Sequence, residues 1–169
     1  MTLQKSFSII VVLLVFPSLL GADKKRMTVV DYFLLLPPHS LESAPVDLLD
    51  NCNVIDRQNG FMSCIGDGAQ PNFQVALFKY RDRRSLLALC QGEEAGGDSL
   101  FLDFFEMAPD GKMHKTSRSI FPVADAGSEK GNWRFELPRH GRIVLVRGQK
   151  SGKILRKFTW NGDKFVEQK

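Results

Sequence analysis

The chain has 169 residues, three cysteines, three histidines and a formal net charge of +4. Its cysteines and histidines do not occur at the close spacing of metal ligands, so the sequence predicts no metal and no other cofactor. A chain of this length suits one domain, which can bury about two-thirds of its unfolded surface without covalent cross-links.

The first residues have the pattern of an export signal. Lys5 supplies a positive charge, an apolar stretch spans Ile9–Leu20, and small residues precede a cleavage point between Ala22 and Asp23. This stretch is shorter than the ~20 residues that cross a bilayer, which disfavours a retained anchor. We therefore expect residues 1–22 to be a signal peptide and the mature protein to be periplasmic or secreted. The absence of an Asn-x-Ser/Thr sequence favours a bacterial source.

Residues 23–50 are predicted to form a helical and linker segment. Thr28 can cap a short helix through Val29–Leu36, which the two prolines that follow would end. Apolar residues crowd more than one face of this helix, so we expect it to be largely covered. The next residues, His39–Asp50, contain proline, serine and acidic residues and indicate a connecting segment.

Residues 51–169 are predicted to form an antiparallel β domain. Short extended stretches alternate with turn residues, which is typical of a meander of antiparallel strands. The fold class we expect is all-β, a sandwich or a partial barrel, with a short N-terminal helix. The predicted strands are Val54–Asp56, Phe61–Ile65, Phe73–Tyr80, Leu86–Gln91, Leu100–Met107, Trp133–Leu137, Arg142–Arg147, Lys153–Trp160 and Lys164–Glu167.

Three dipeptides mark tight turns between extended stretches: Asn59-Gly60, Asp110-Gly111 and Asn161-Gly162. Asn-Gly and Asp-Gly supply the positive φ angles of hairpin turns. In the last hairpin, the stretch TWNGDKFV puts Trp160 and Phe165 on facing strands, where an aromatic pair stabilises the hairpin. We therefore interpret this polar stretch as a turn rather than as a site.

Three strands in the middle of the β domain are apolar on both faces. Their sequences are FQVALFKY, LLALCQ and LFLDFFEM. A strand covered on both sides lies at the centre of a layered fold, so a second layer must cover the other face. The candidates are another sheet, the Val29–Leu36 helix or a partner chain. The last strands alternate more strictly, so we expect them to be more exposed.

The order of these motifs resembles that of small exported bacterial proteins. The segments that carry the resemblance are NVIDRQNGFM, the "ALF" strand in NFQVALFKY, FLDFFEMAPDGKM, NWRFELPRHGRIVLVR and the closing W-N-G-x-x-F hairpin in FTWNGDKFV. The resemblance covers most of the chain after the predicted signal and implies an exported β-rich protein. It brings no activity and no catalytic residues.

The three cysteines allow one disulfide and one free thiol. Cys90 lies within the apolar run SLLALC, so we expect a small buried residue there. A bond between Cys52 and Cys64 would close a short loop worth about 3 kcal/mol. Strand register could equally hold the two thiols apart, and we favour this second alternative.

The sequence contains few arrangements suited to catalysis. No G-x-S-x-G motif is present, and His39, His114 and His140 lie in predicted turns or loops. Asp103 interrupts an apolar strand, so its carboxylate must face solvent or find a buried partner. A glycosidase-like site would need Asp103 or Glu106 and a second carboxylate across a cleft. No catalytic residues are predicted, and a small hydrolase or carbohydrate-processing enzyme is kept as an alternative function.

Charge is distributed unevenly along the chain. Residues Lys130–Lys169 include 11 basic and three acidic side chains, a net of +8, whereas Asp23–Glu129 has 11 basic and 16 acidic side chains, a net of −5. The C-terminal hairpins are therefore predicted to present a basic surface on an acidic body. The predicted binding residues are Arg139, Arg142, Arg147, Lys153, Arg156 and Lys157.

A basic surface of this kind can bind an anionic envelope component or an acidic protein surface. The alternative is that these cations pair with the acidic part of their own domain, where surface ion pairs contribute little. An exported chain without a base-stacking motif predicts no nucleic-acid partner. The function we expect is an exported, non-enzymatic binding module of the bacterial envelope. Besides the hydrolase, a structural subunit completed by a partner chain stays open.

Overall fold

The structure is a computed structural model that describes residues 26–66, 69–92, 99–124 and 132–169. The predicted signal peptide lies outside the described residues. Within them are a short α-helix, two 3₁₀ turns and ten β-strands. In chain order these are α1 (Val29–Leu34), η1 (Leu49–Asn51), β1 (Cys52–Asp56), β2 (Phe61–Cys64), β3 (Phe73–Lys79), β4 (Ser85–Gln91), β5 (Phe101–Met107), β6 (Met113–Lys115), η2 (Arg118–Ile120), β7 (Trp133–Glu136), β8 (Ile143–Gly148), β9 (Ile154–Trp160) and β10 (Phe165–Glu167).

The strands form two antiparallel sheets. The first sheet contains β1 to β6 in chain order, and the second contains β7 to β10 with consecutive strands as neighbours. The two sheets share a core as a sandwich, and the described strands close no barrel. The predicted all-β, mainly antiparallel fold is therefore confirmed, with the sandwich as its form. Every predicted strand is present, whereas the short strand β6 was not predicted.

The three predicted turns join β1 to β2, β5 to β6, and β9 to β10. Their glycines, Gly60, Gly111 and Gly162, have φ angles of 69°, 78° and 98°, which residues with a Cβ rarely adopt. The Asn or Asp before each glycine has no positive φ, since among the described non-glycine residues only His39 and Arg83 do. These turns are therefore longer loops with one left-handed glycine rather than two-residue turns.

The last hairpin has the predicted aromatic pair. Trp160 and Phe165 are opposite each other in the register of β9 and β10, with ring centroids 5.0 Å apart. The indole Nε1 of Trp160 also donates a hydrogen bond to the carbonyl oxygen of Lys79, at 2.8 Å. Because Trp160 is only 1% exposed, this bond satisfies a buried donor and ties the second sheet to β3.

The space between the sheets holds one core. Alternate residues of β3, β4 and β5 face this space, as the period of two in a strand requires. Eight buried phenylalanine and tryptophan side chains of the two sheets and of the segment before β7 fill its centre. They are Phe61, Phe78, Phe104, Phe121, Phe135, Phe158, Trp160 and Phe165.

The other face of the first sheet is covered by the N-terminal segment. Val29 and Phe33 of α1 are fully buried, and Leu48 is buried beside them against β2 to β5. The ring of Phe33 stacks on Phe73, with centroids 5.6 Å apart. The two faces of the central strands are therefore covered by the second sheet and by the helix, two of the three predicted candidates.

The short helix begins where the sequence predicted. Thr28 is its N-cap, and the Asp31 carboxylate accepts hydrogen bonds from the Thr28 backbone N–H at 2.6 Å and from its hydroxyl at 2.7 Å. These contacts stabilise the first turn of a helix only six residues long. Such a helix has little stability alone, so its packing on the sheet is what maintains it.

The pairing of the cysteines differs from the alternative that we favoured from the sequence. Cys52 and Cys64 are opposite each other in the register of β1 and β2, and they form a disulfide. Strand register thus brings the two thiols together instead of holding them apart. Cys90 forms no disulfide with another described residue and is fully buried, as predicted. Among the described residues, no helix combines the length and the apolar character needed to cross a membrane.

Candidate functional site

All six predicted binding residues belong to the second sheet or its connections. Arg139 and Arg142 lie between β7 and β8, and Lys153 lies between β8 and β9. Arg147 is on β8, whereas Arg156 and Lys157 are on β9. The C-terminal hairpins therefore do concentrate positive charge in one sheet of the sandwich.

Two of these cations are neutralised within the second sheet. Arg147 donates through Nε to Glu136 at 2.5 Å and through Nη1 to the carbonyl of Gly152 at 3.0 Å. Arg156 binds both carboxylate oxygens of Glu167 at 2.6 Å, and this pairing lowers the pKa of Glu167. A bidentate pair orients the guanidinium and leaves it less able to bind a second anion.

A third cation pairs with the acidic body of the protein. Arg139 donates through Nε to Asp56 in β1 at 3.0 Å. Hydrogen bonds from the side chain and backbone of Asn59, followed by the bond from Arg139, hold the pKa of Asp56 at about 2. Arg139 thus follows the alternative in which the basic hairpins pair with their own domain.

The strand register separates the two neighbouring cations of β9. Arg156 is opposite Val146, whose side chain is buried in the core between the sheets. Lys157 is opposite Leu145, on the outer side of the second sheet. The six residues therefore do not form one continuous face, and Lys157 is the one on β9 that faces outward without an ion pair to another described residue.

A groove of about 550 Å³ is lined in part by residues of this outer side. Its lining combines apolar side chains with cations: the β7–β8 connection and the outward residues of β8 and β9 form most of it, and β2 and β3 contribute at one end. We call it the outer groove, and its lining residues are Phe61, Gln74, Glu136, Leu137, Pro138, Arg139, His140, Ile143, Leu145, Ile154 and Lys157.

One cation that forms no ion pair with another described residue lines the outer groove, and two more are next in sequence to its lining residues; we call these three the border cations. Lys157 lines it, and Arg142 and Lys153 directly precede two of its lining residues, Ile143 and Ile154. Arg142, Lys153 and Lys157 are exposed and form no ion pair with another described residue. Ile154 is 43% exposed, and its neighbour Leu155 is 55% exposed, so β9 begins with two large apolar side chains in contact with solvent.

The carboxylates considered for a hydrolase are engaged in separate contacts. The Asp103 carboxylate forms an ion pair with Lys115, and the distance between Oδ1 and Nζ is 2.8 Å. Glu106 accepts a hydrogen bond from the Tyr80 hydroxyl at 2.5 Å and pairs with Arg84 at 3.0 Å. Burial, followed by the bond to Glu106, raises the pKa of Tyr80 far above its ordinary value.

These two carboxylates also lie on opposite faces of the first sheet. Asp103 is opposite Leu89, which faces the helix, and Glu106 is opposite Leu86, which faces the second sheet. A pair across one cleft, as glycoside hydrolysis requires, is therefore not formed by Asp103 and Glu106.

The histidines are exposed, and one of them lies in a strand rather than in a loop. His39 and His140 are in connections, whereas His114 is in β6 and contacts Asp110 at 3.3 Å. Among the described residues, no group of three or more His, Cys, Asp or Glu side chains is arranged to hold a metal ion.

A second polar cluster, formed by Lys79, Ser85 and Tyr32, was not predicted from the sequence. Lys79, at the end of β3, is opposite Ser85 at the start of β4, and its amine donates to the Ser85 hydroxyl. The Ser85 hydroxyl donates in turn to the Tyr32 hydroxyl of α1 at 3.0 Å. The pairing of β3 with β4 follows from the predicted strands, but the approach of Tyr32 depends on how the helix docks.

Comparison of the chain with protein-family models, curated proteins and solved structures found no significant match. Function therefore has to be argued from the surfaces of the molecule itself.

Proposed function

We propose that the chain is an exported, non-enzymatic binding module of the bacterial envelope, and that the outer groove holds an acidic, partly apolar segment of a partner protein. The observation that carries the proposal is a partly apolar groove that contains Lys157, with Arg142 and Lys153 next in sequence to its lining residues, all three exposed and without an ion pair to another described residue. The export signature of residues 1–22 supports the location.

The apolar part of the groove supports a macromolecular partner. Leu137, Ile143, Leu145 and Ile154 line it together with Pro138. Covering apolar surface on binding is favourable by about 25 cal/mol per Å². Leu137 is itself buried, but Ile154 is exposed and Ile143 and Leu145 are half-buried, so this part of the groove suits a partner that brings apolar side chains of its own.

The charges at the border indicate an acidic partner. Arg142, Lys153 and Lys157 have no carboxylate to neutralise them among the described residues, so a partner carboxylate would not have to displace an existing ion pair. Arg147 and Arg156 differ because reversing their charge would place two carboxylates side by side with Glu136 or Glu167. Substitutions at these two would therefore disturb the fold as well as binding.

The test is a double charge reversal, Arg142→Glu with Lys157→Glu. Its matched control is Arg57→Glu with Lys112→Glu, which makes the same charge change at two exposed residues in the turns of the first sheet. The tagged native protein and both variants are used to isolate a companion from the exported fraction. We expect the border variant to retain at most a tenth of the companion that the native protein retains, which corresponds to about 1.4 kcal/mol.

Further measurements separate the two contributions to binding. The companion should dissociate at high salt if the border cations hold it, and Ile154→Gln should weaken the complex without changing the net charge. Equal loss in the control variant, full retention in the border variant, or the absence of any companion would each reject the proposal.

The two other functions predicted from the sequence have less support. Asp103 and Glu106 do not supply the hydrolase's carboxylate pair between them, because they face opposite sides of the first sheet. The structural subunit was inferred from strands that are apolar on both faces. This chain covers both of those faces itself, so they need no second chain to complete them.

A further inference from the structure

Another cavity lies between the start of the described chain and the β3–β4 turn. Its volume is about 560 Å³, and Arg26, Met27, Tyr32, Lys79 and Arg83 line it. Cavities of roughly 300–1,000 Å³ are the size that small organic ligands occupy. We call it the Lys79 pocket. It shares no residue with the outer groove.

Three cations converge on the Lys79 pocket without a carboxylate among the lining residues. Arg26, Lys79 and Arg83 form no ion pair with another described residue. Burial, and then the positive charge of Arg26, lower the pKa of Lys79. Positive charges that repel one another in a partly buried cavity cost stability, and an anion bound between them would remove that cost.

The charges around Arg83 are already matched with one another. Arg81 pairs with Asp163 at 3.3 Å, and Arg84 pairs with Asp82 at 2.7 Å. Arg83 is therefore the arginine of the β3–β4 turn that forms no ion pair with another described residue, and it is the one that lines the cavity.

The backbone at Arg83 is also in an unfavourable conformation. Its φ angle is 72°, in the left-handed region that glycine and asparagine occupy at less cost than arginine. Strained residues of this kind concentrate at binding sites, where the strain is retained for the position it gives to a side chain. The conformation and the missing ion pair are two independent observations on one residue.

The amine of Lys79 is held in place but not saturated. It donates to Ser85, whose hydroxyl donates to Tyr32 at 3.0 Å, and it lies 5.8 Å from the centre of the Tyr32 ring. An ammonium group has three donors, so one is used by Ser85 and others remain for a ligand. Tyr32 and Met27 supply less polar surface in the same cavity.

We propose that the Lys79 pocket binds a small organic phosphate, with the phosphate group held by Arg26, Lys79 and Arg83 and the organic part against Met27 and Tyr32. Guanidinium groups match the oxygen geometry of phosphate, and lysine adds a point charge. The phosphate can belong to a soluble ester or to a lipid headgroup, and the chemistry of recognition is the same for both. The proposal does not depend on the outer groove having a partner.

Calorimetry with three probes tests the proposal on the purified protein. Glycerol 3-phosphate represents a soluble ester, glycerol is its uncharged counterpart, and phosphatidylglycerol vesicles represent a lipid headgroup. We expect binding of glycerol 3-phosphate or of the vesicles, and none of glycerol. If only the vesicles bind, the phosphate source is the lipid. Absence of binding by both phosphate probes overturns the proposal.

Two variants with matched controls locate the site. Lys79→Met and Arg83→Asn should each weaken phosphate binding at least ten-fold, since each removes a charged hydrogen-bond donor. Lys112→Met and Arg57→Asn make the same changes at exposed turn residues of the same sheet and should bind like the native protein. Equal affinities in all four variants, or equal losses in the controls, would place any binding elsewhere.

Stability and lysine reactivity distinguish a ligand role from a structural one. Asparagine tolerates the positive φ, so Arg83→Asn should raise the melting temperature by about 2–4 °C while it weakens binding. Bound phosphate should also slow acetylation of the Lys79 amine, about tenfold for each unit by which it raises the Lys79 pKa. Lys153 and Lys157 serve as internal references. A lower melting temperature for Arg83→Asn, together with unchanged Lys79 acetylation, would show that these residues only support the turn.

Discussion

A substitution of Phe33 tests whether α1 covers the face of the first sheet that points away from the second sheet. The structure places the side chain of Phe33 at 0% exposure between α1 and the first sheet, where it stacks on Phe73. The substitution Phe33→Ala removes this ring and leaves a cavity above the sheet. The neighbouring residue of the same helix, Leu34, is 42% exposed, so Leu34→Ala is a matched control in the same element.

The expected magnitudes are well separated. Truncating a fully buried phenylalanine to alanine costs about 3–5 kcal/mol, because the transfer free energy of the ring and the cavity both contribute. Leu34→Ala should cost less than about 1 kcal/mol, since much of that side chain is already in water. For a domain of this size, the difference corresponds to a fall in melting temperature of roughly 5–15 °C.

Urea unfolding measures both variants. Tryptophan fluorescence reports on the core between the sheets through Trp160, which is buried there, and Trp133, which packs against it, whereas far-ultraviolet circular dichroism reports on the whole described fold. We expect the two signals to change in one transition, as in a single cooperative domain. If Phe33→Ala lowers the free energy of unfolding no more than Leu34→Ala does, the helix does not cover the first sheet, and the prediction for the second face of that sheet is wrong.

Three further predictions concern individual contacts. Replacing Cys52 and Cys64, 12 residues apart, by alanine should lower the free energy of unfolding by about 3 kcal/mol; an unchanged urea midpoint would contradict this. Because the pKa of Asp56 is lowered from 3.8 to about 2, the stability that it contributes should be present at pH 5 and lost as the pH falls from about 4 to 2. Asp56→Asn should therefore be less stable than the native protein at pH 5, and urea unfolding should show the difference shrinking towards pH 2. Trp160→Phe leaves the carbonyl of Lys79 without its donor and should cost about 2 kcal/mol; a cost below about 0.5 kcal/mol would show that this bond contributes little.

Local patterns in the sequence were sufficient for most of the fold. The turns at Gly60, Gly111 and Gly162 depend on residues that are adjacent in the chain, and the strands beside them depend on a two-residue alternation. Strand β6 was not predicted because Met113–Lys115 is too short to show an alternation of apolar and polar residues. The register between β1 and β2, which brings Cys52 and Cys64 together, also lay beyond a reading of strands one at a time.

The candidate sites were less predictable because their partners are distant in sequence. Arg139 meets Asp56 across 83 residues, and Lys79 meets Tyr32 only after α1 docks on the first sheet. A count of charges identifies a basic segment, but it cannot show which cations will find a carboxylate. Arg83 likewise forms no ion pair with another described residue because of what surrounds it in space, which the residue order YRDRR does not show.

By itself, the sequence determined that this is an antiparallel β protein whose central strands need cover on both faces, since apolar side chains on both sides of a strand cannot remain in water. Only the tertiary structure decided what provides that cover: the second sheet on one face and the helix with its following segment on the other. It also decided which cations stay unpaired, because ion pairing depends on distances of a few ångströms between segments far apart in the chain.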